Sequence, residues 1–226
     1  MKAVVFDFDG LILDTETAWF RAFSQVLLEY NMELGMDVFS QGIGTHGSTL
    51  QDHIESVLEQ PGIYREIAQK AYEIHKTEVA ELQEREGVRE YLESARQQGL
   101  KIGLATSSNR EWIERFLQRL GLLDYFEQIR TSDDVELVKP DPELYVQVVA
   151  ALGVEPHEAL AFEDSLNGLK AAKAAGLSCV IVPNPVTANL AFEHYDLRLQ
   201  SMLDQPLEQL IGQLNDSLAG QIQPQE

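Results

Sequence analysis

The chain has 226 residues, 44% of them hydrophobic and 24% charged, proportions that suit a globular protein with a sizeable core. Its 17 Lys and Arg against 37 Asp and Glu leave a net charge of −20, a surface that repels the nucleic-acid backbone and anionic membranes and argues against both as partners. The one cysteine, Cys179, leaves no partner for an internal disulfide, and no apolar run is long enough to span a membrane.

Residues 1–6 are apolar but meet Asp7 at once, too short a run for a secretory signal, so a cytoplasmic location is expected. Within that run, Ala3-Val4-Val5-Phe6 predicts a buried strand. Residues 15–85 carry helical patterns such as Trp19-Phe20-Phe23-Val26-Leu27 and Ile67-Ala71-Ile74, and no convincing strand. One crossover does not need so many residues. The expected division is therefore an α/β core of residues 1–14 and 86–226 with an α-helical cap inserted over 15–85. Asp14 and Thr15 are expected to cap the first inserted helix, and residues 81–85 read as a solvated helix face.

Ile102-Gly103-Leu104-Ala105 predicts a second strand, followed by Thr106-Ser107-Ser108-Asn109. Trp112, Ile113, Phe116, Leu117 and Leu120 form one helical stripe that Gly121 closes. Asp141-Pro142 starts another helix, with Tyr145, Val148 and Val149 facing inward. Ala159-Leu160-Ala161-Phe162 is a third strand, running into Glu163-Asp164, and Ser165 caps a helix that Gly176 ends. The fourth strand contains Cys179, read as a buried thiol, and runs into Pro183-Asn184-Pro185. Continuous apolar strands alternating with helices predict an α/β fold with a Rossmann-like parallel sheet.

In such sheets functional groups collect at the carboxyl ends of strands. Those ends carry Asp7, Asp9, Thr106, Glu163 and Asp164, with Lys139 just before Pro140-Asp141-Pro142. Asp7 and Asp9 share a face, and two carboxylates so close repel unless one is protonated or a cation lies between them. Asp164 adds a third. Hard oxygen ligands with room for water suit Mg2+. A carboxylate can act as nucleophile and form an aspartyl-phosphate. Thr106 offers a hydroxyl and Lys139 a point charge to a phosphoryl group, while Gly10 lets backbone amides approach it. Asp9 is a candidate to protonate the leaving oxygen and then take a proton from water. Singly, an Asp-x-Asp is usually a solvated turn and a Lys-Pro a loop; order and placement carry the argument.

These motifs, in this order, resemble those of the haloacid dehalogenase superfamily. Asp7-Phe8-Asp9-Gly10 matches the first, Thr106 the second, Lys139 in Val138-Lys139-Pro140-Asp141-Pro142 the third and Glu163-Asp164-Ser165 the fourth. The helical stretch is similar to the small cap of the subgroup with β-phosphoglucomutase and many sugar- and nucleotide-phosphate phosphatases. The resemblance implies Asp7 as phosphoaspartyl nucleophile and metal ligand. It implies Asp9 as general acid/base, binding the metal through its backbone carbonyl. Asp164 becomes a metal ligand, and Glu163 binds or orients the ion. Thr106 and Lys139 hold the phosphoryl group, and Mg2+ is the cofactor. The implied substrate is a small phosphorylated metabolite, contacted by Gly10, Glu16, Thr45, His46, Ser107, Ser108 and Asn109, with Trp19 near them. A monomer or weak homodimer is expected.

A mutase must hold a second phosphate with a basic cap residue. Thr45 stands where the arginine is expected, and Trp19 where that mutase has a histidine, although Arg110 remains a candidate for a distal group. A dehalogenase lacks the second carboxylate, here Asp9. A receiver-like phosphoacceptor module combines Asp, Thr and Lys without a cap. His53, His75, His157 and His194 lack metal-ligand spacing and read as surface or helix residues, and Asn167 is expected to steady the Glu163-Asp164 loop.

Overall fold

A computed structural model describes residues 1–41 and 48–221. The first strand, β1 (Ala3–Phe6), is fully buried. Four helices follow it: α1 (Thr15–Leu28), α2 (Met36–Gln41), α3 (Ser48–Val57) and α4 (Ile63–Glu81). The chain then alternates through α5 (Val88–Gln97), β2 (Lys101–Ala105), α6 (Arg110–Leu120), β3 (Gln128–Arg130), α7 (Glu143–Leu152), β4 (Ala159–Glu163) and α8 (Leu166–Ala174). It ends with β5 (Ser178–Ile181), β6 (Leu197–Arg198) and α9 (Leu207–Gln221).

All strand pairs are parallel, in the order β3-β2-β1-β4-β5-β6. Strands β1, β2, β4 and β5 fall where continuous apolar runs predict them. The edge strands β3 and β6 escape prediction because they are short and polar: Gln128 and Arg130 flank Ile129, and β6 is only Leu197-Arg198. An edge strand is not sandwiched on both sides, so it needs no apolar run.

Successive β1 side chains feed opposite cores, as a strand's two-residue period requires. Val4 and Phe6 pack with Tyr91 of α5, Phe116 of α6 and Leu210 of α9. Ala3 and Val5 pack with Tyr145 and Val148 of α7 and Ala171 of α8. Tyr145, Val148 and Val149 thus face inward as their spacing predicts. Capping also follows the sequence. Asp14 accepts from the Thr17 amide, Asn109 from Trp112 and Ser165 from Gly168, each at a helix start.

The helices between β1 and β2 have a core of their own, built on Phe23, Leu27, Phe39, Ile54 and Ile67. One residue from the loop after β5, Val186, is buried in it. The return to the sheet is pinned by Arg85. Its guanidinium donates to the carbonyls of Gly10 at 2.6 Å, Val182 at 3.0 Å and Pro183 at 2.7 Å. The reading of residues 81–85 as a solvated helix face is therefore corrected. The helix stops at Glu81, and Arg85 turns inward because three loop carbonyls need a donor there. Gly87 follows at φ +81°, where a Cβ would lie 2.6 Å from that of Met202.

Replacing Arg85 by Met keeps the aliphatic stem but strands those carbonyls. The expected loss is roughly 1–3 kcal/mol, read as a lower urea midpoint at unchanged slope; an unaltered midpoint would show that water satisfies the carbonyls equally well.

Candidate active site

The site lies where strand order reverses, between β1 and β4, at their carboxyl ends. Asp7 follows β1, Glu163 ends β4 and Asp164 follows it. One carboxylate oxygen of each lies within 4.8 Å of the others. Lys139 reaches them from the loop before α7. Its Nζ donates to Asp7 Oδ1 and Glu163 Oε1, both at 2.6 Å, and to the Ala105 carbonyl at 2.8 Å. All four charged residues are buried.

Glu163 is fully committed. Besides Lys139, its Oε1 accepts from the Tyr145 hydroxyl at 2.6 Å, and its Oε2 from Ser165 at 3.4 Å. Gly168 makes this possible, since a Cβ there would fall 1.9 Å from Oε2. Asp164 differs. Its Oδ2 accepts from Asn184 at 2.7 Å, but its buried Oδ1 has no partner. A buried carboxylate oxygen without a donor is costly, and a cation would satisfy it.

Charge and burial shift the titrations. Burial pushes Asp7 up to about 7, against the pull of Lys139. Glu16, from α1, is pushed up to about 8 by burial and then by Asp9, Asp14 and Asp7. Asp164 is raised well above the carboxylate range by burial and then by Asp7 and Glu163. Burial alone would depress Lys139, but Asp7 and Glu163 overcome it and raise its pKa. Without a cation, the cluster holds too much negative charge for one lysine.

Asp9 stands beside the cluster with three donors. Ser108 Oγ reaches Oδ2 at 2.6 Å; Thr15 Oγ1 and Trp112 Nε1 reach Oδ1 at 3.0 and 3.1 Å. Burial nevertheless raises its pKa, and these bonds only moderate the rise. Buried Thr106 accepts from the Ser108 amide at 3.1 Å.

Asp7, Asp9, Thr106, Lys139 and Asp164 line one cavity of about 500 Å3, with Glu16, Trp19, Ser107, Ser108, Asn109 and Asn167. The sequence picks these out individually; the fold brings them together. Gly10 has φ +82°, and a Cβ there would lie 2.2 Å from Asp164 Oδ2, so its small size makes room for that carboxylate. Thr45 and His46 lie outside the described residues. Arg110 is paired with Asp134 at 2.9 Å and Glu114 at 3.5 Å.

Sequence reasoning misses Asn184, Tyr145, Trp112 and His75. Asn184 had a signal, since it follows β5 just as Asp7 follows β1. Tyr145 reads only as an inward core residue, and Trp112 as part of an apolar stripe. His75 is a correction in part: it is on a helix as expected, but only 2% exposed and on the cavity wall. Two aromatic rings cover it, which its own sequence neighbours do not announce.

Comparison with known proteins agrees with this geometry. The family model for haloacid dehalogenase-like hydrolases matches residues 4–182. "Putative phosphatase YhcW" of Bacillus subtilis is 46% identical, covering 95% of this chain and 98% of its own. The phosphorylated carbohydrates phosphatase of Thermotoga maritima is 37% identical over 78% of this chain and 82% of its own. The crystal structure of CbbY from Rhodobacter sphaeroides in complex with phosphate is 28% identical, with a TM-score of 0.68, covering 89% of this chain and 95% of that one. Among the described residues, no helix is long and apolar enough to cross a membrane.

The raised carboxylates set the pH response of the metal-free protein. An acid with a raised folded pKa keeps its proton in the fold after the unfolded chain has lost it. Stability therefore falls as pH rises from the unfolded values, near 4, to the folded ones, about 7 for Asp7 and about 8 for Glu16. In chelator, Tm is expected to fall between about pH 5 and about pH 8. Asp7→Asn is expected to flatten the fall. Equal slopes in the two proteins would assign the trend to overall charge repulsion instead.

Proposed function

The chain belongs to the haloacid dehalogenase-like hydrolase family, and on that premise we propose that it is a Mg2+-dependent phosphatase of small phosphate monoesters, of the sugar or polyol type, working through an aspartyl-phosphate on Asp7. The observation that carries the reading is the unpartnered Oδ1 of Asp164 beside Asp7, whose other neighbour is Lys139. Nucleophile, phosphate clamp and a cation-shaped deficit meet at one strand end. Substrate class rests on the relatives, one of which is named for phosphorylated carbohydrates. In this reading residues 15–85 form a cap over the cavity.

The donor set is all oxygen, as Mg2+ requires, and Asp7, Asp164 and the Asp9 carbonyl would hold the ion. Such an ion would neutralise the phosphoryl oxygens as they enter an acidic site. Glu163, bound to Lys139 and Tyr145, supports the site by fixing the lysine and would bind or orient the ion. Lys139 holds one Asp7 oxygen and turns the carboxylate toward phosphorus. The Asp7 carboxylate attacks in line, and the bond from phosphorus to the ester oxygen breaks. Asp9, protonated, gives its proton to the departing alkoxide. Thr106 and Ser107 hold the phosphoryl oxygens. Asp9 then takes a proton from water as the water attacks phosphorus. Inorganic phosphate leaves and the Asp7 carboxylate is restored.

A mutase would have to retain a second phosphate. Arg110, the cation nearest in sequence, is occupied by Asp134 and Glu114, which favours hydrolysis.

Phosphate release from a panel of sugar, polyol and nucleotide monoesters, with Mg2+ and with chelator, tests the proposal. Asp7→Asn is expected to lower turnover by at least roughly 10^3-fold while the protein stays folded. Undiminished turnover in that variant rules out the covalent route, and a mutase is recognised by glucose 6-phosphate formed from β-glucose 1-phosphate without phosphate release.

A further inference from the structure

His75 is an unusual residue to find inside the wall of a reaction cavity. Neither ring nitrogen has a hydrogen-bond partner at bonding geometry, and the side chain is almost wholly buried. Burying a polar ring this way costs stability unless its shape is used. Its shape is used. The ring stacks on Trp19 with centroids 3.8 Å apart and planes 11° from parallel. It also lies near-parallel to the Trp112 ring, with centroids 6.1 Å apart and planes 12° from parallel. Burial pushes His75 down to about 4, with the Thr15 backbone opposing weakly, so the ring is neutral and brings no charge into the stack.

The column joins two layers. Trp19 is on α1 and His75 on α4, whereas Trp112 is on α6, against the sheet. Trp112 is fixed from below as well, edge-on to Phe116 at 4.6 Å. Its indole N–H ends on Asp9 Oδ1. The other two donors to Asp9 are hydroxyls, which rotate and also accept. The indole N–H only donates, and it points wherever its ring plane points. Of the three, it alone fixes a direction.

We propose that Trp112 is a positioning residue for Asp9, and that the Trp19–His75 stack sets the plane of its indole, so that the helical layer aligns the proton donor for the leaving group. The inference rests on the phosphatase reading given above. In it the stacking ring matters and the histidine nitrogens do not. Trp112→Phe keeps the stack and deletes the donor. His75→Leu keeps apolar volume and deletes the stack. His75→Phe keeps the stack without nitrogens.

Leaving-group chemistry separates positioning from general damage. An alkyl phosphate needs a proton on its departing oxygen, and p-nitrophenyl phosphate does not. kcat/KM reports the steps through aspartyl-phosphate formation. For Trp112→Phe it is expected to fall on the order of tenfold with an alkyl phosphate, mostly in kcat, and to change little with p-nitrophenyl phosphate. His75→Leu should fall in the same selective way, while His75→Phe stays near wild type. Thermal melts of each variant with Mg2+ exclude unfolding as the cause. Equal losses on both esters, or no loss, would overturn the inference alone. Failure of the wild type to turn over either ester would defeat the phosphatase reading and the inference with it.

Discussion

Three buried carboxylates share one buried lysine, and the rest of the site is arranged around that imbalance. Lys139 sits 2.6 Å from both Asp7 and Glu163, whereas among the described residues Asp164 has no direct ion pair and only the more distant charge of Arg85 acts on it. Burying ionised groups is costly unless each is paired and hydrogen-bonded. Glu163 meets that condition through Lys139 and Tyr145 and so behaves as part of the scaffold. Asp7 meets it halfway, and Asp164 least of all. Burial raises the pKa of both Asp7 and Asp164. In the proposed reading, a cation would supply the missing positive charge.

That arrangement needs exact spacing from strands far apart in sequence, and backbone details supply it. Gly10 and Gly168 each remove a Cβ that would collide with a carboxylate, Asp164 in one case and Glu163 in the other. Arg85 ties the loop after β1 to the end of β5. Asn184 binds Asp164, and two residues on, Val186 is buried in the core of the inserted helices. The loop after β5 thus touches both the acidic cluster and the helical layer. Motion of those helices would be felt at Asp164 through two residues of chain.

The chemistry of the site was more legible in the sequence than its support. Asp7, Asp9, Thr106, Glu163 and Asp164 each follow an apolar run that ends abruptly, so the fold class alone brings them to one edge. Lys139 could be placed beside them because a helix-start signal follows it. Asn184 obeyed the same rule and was passed over, since an amide between two prolines looks like an ordinary turn. Trp112 and His75 were hidden for a different reason. Periodicity says that a helix face is buried but not which ring on another helix it meets. Arg85 was misread because a charged run after a helix has the composition of a solvated face, and only the loop carbonyls of Gly10, Val182 and Pro183 give it an inward role. The polar edge strands β3 and β6 were lost to the absence of any apolar run.

The overall charge of −20 fits this picture, although it opposes a phosphorylated substrate at long range. At physiological salt that repulsion decays over about 8 Å, so only local groups govern the final approach. In the proposed reading, Lys139 and a bound cation, in a cavity lined by Trp19, His75 and Trp112, would act at far shorter range and in a less polar medium, where each charge counts for more. Attraction would then be confined to the point where the lysine and the cation converge. On the same reading, the strand ends would fix where phosphorus sits, and the leaving group would meet chiefly α1, α4 and the loop before α6, whose residues line the rest of the cavity. Phosphate recognition and leaving-group recognition would then come from different layers, so that one could vary while the other is kept.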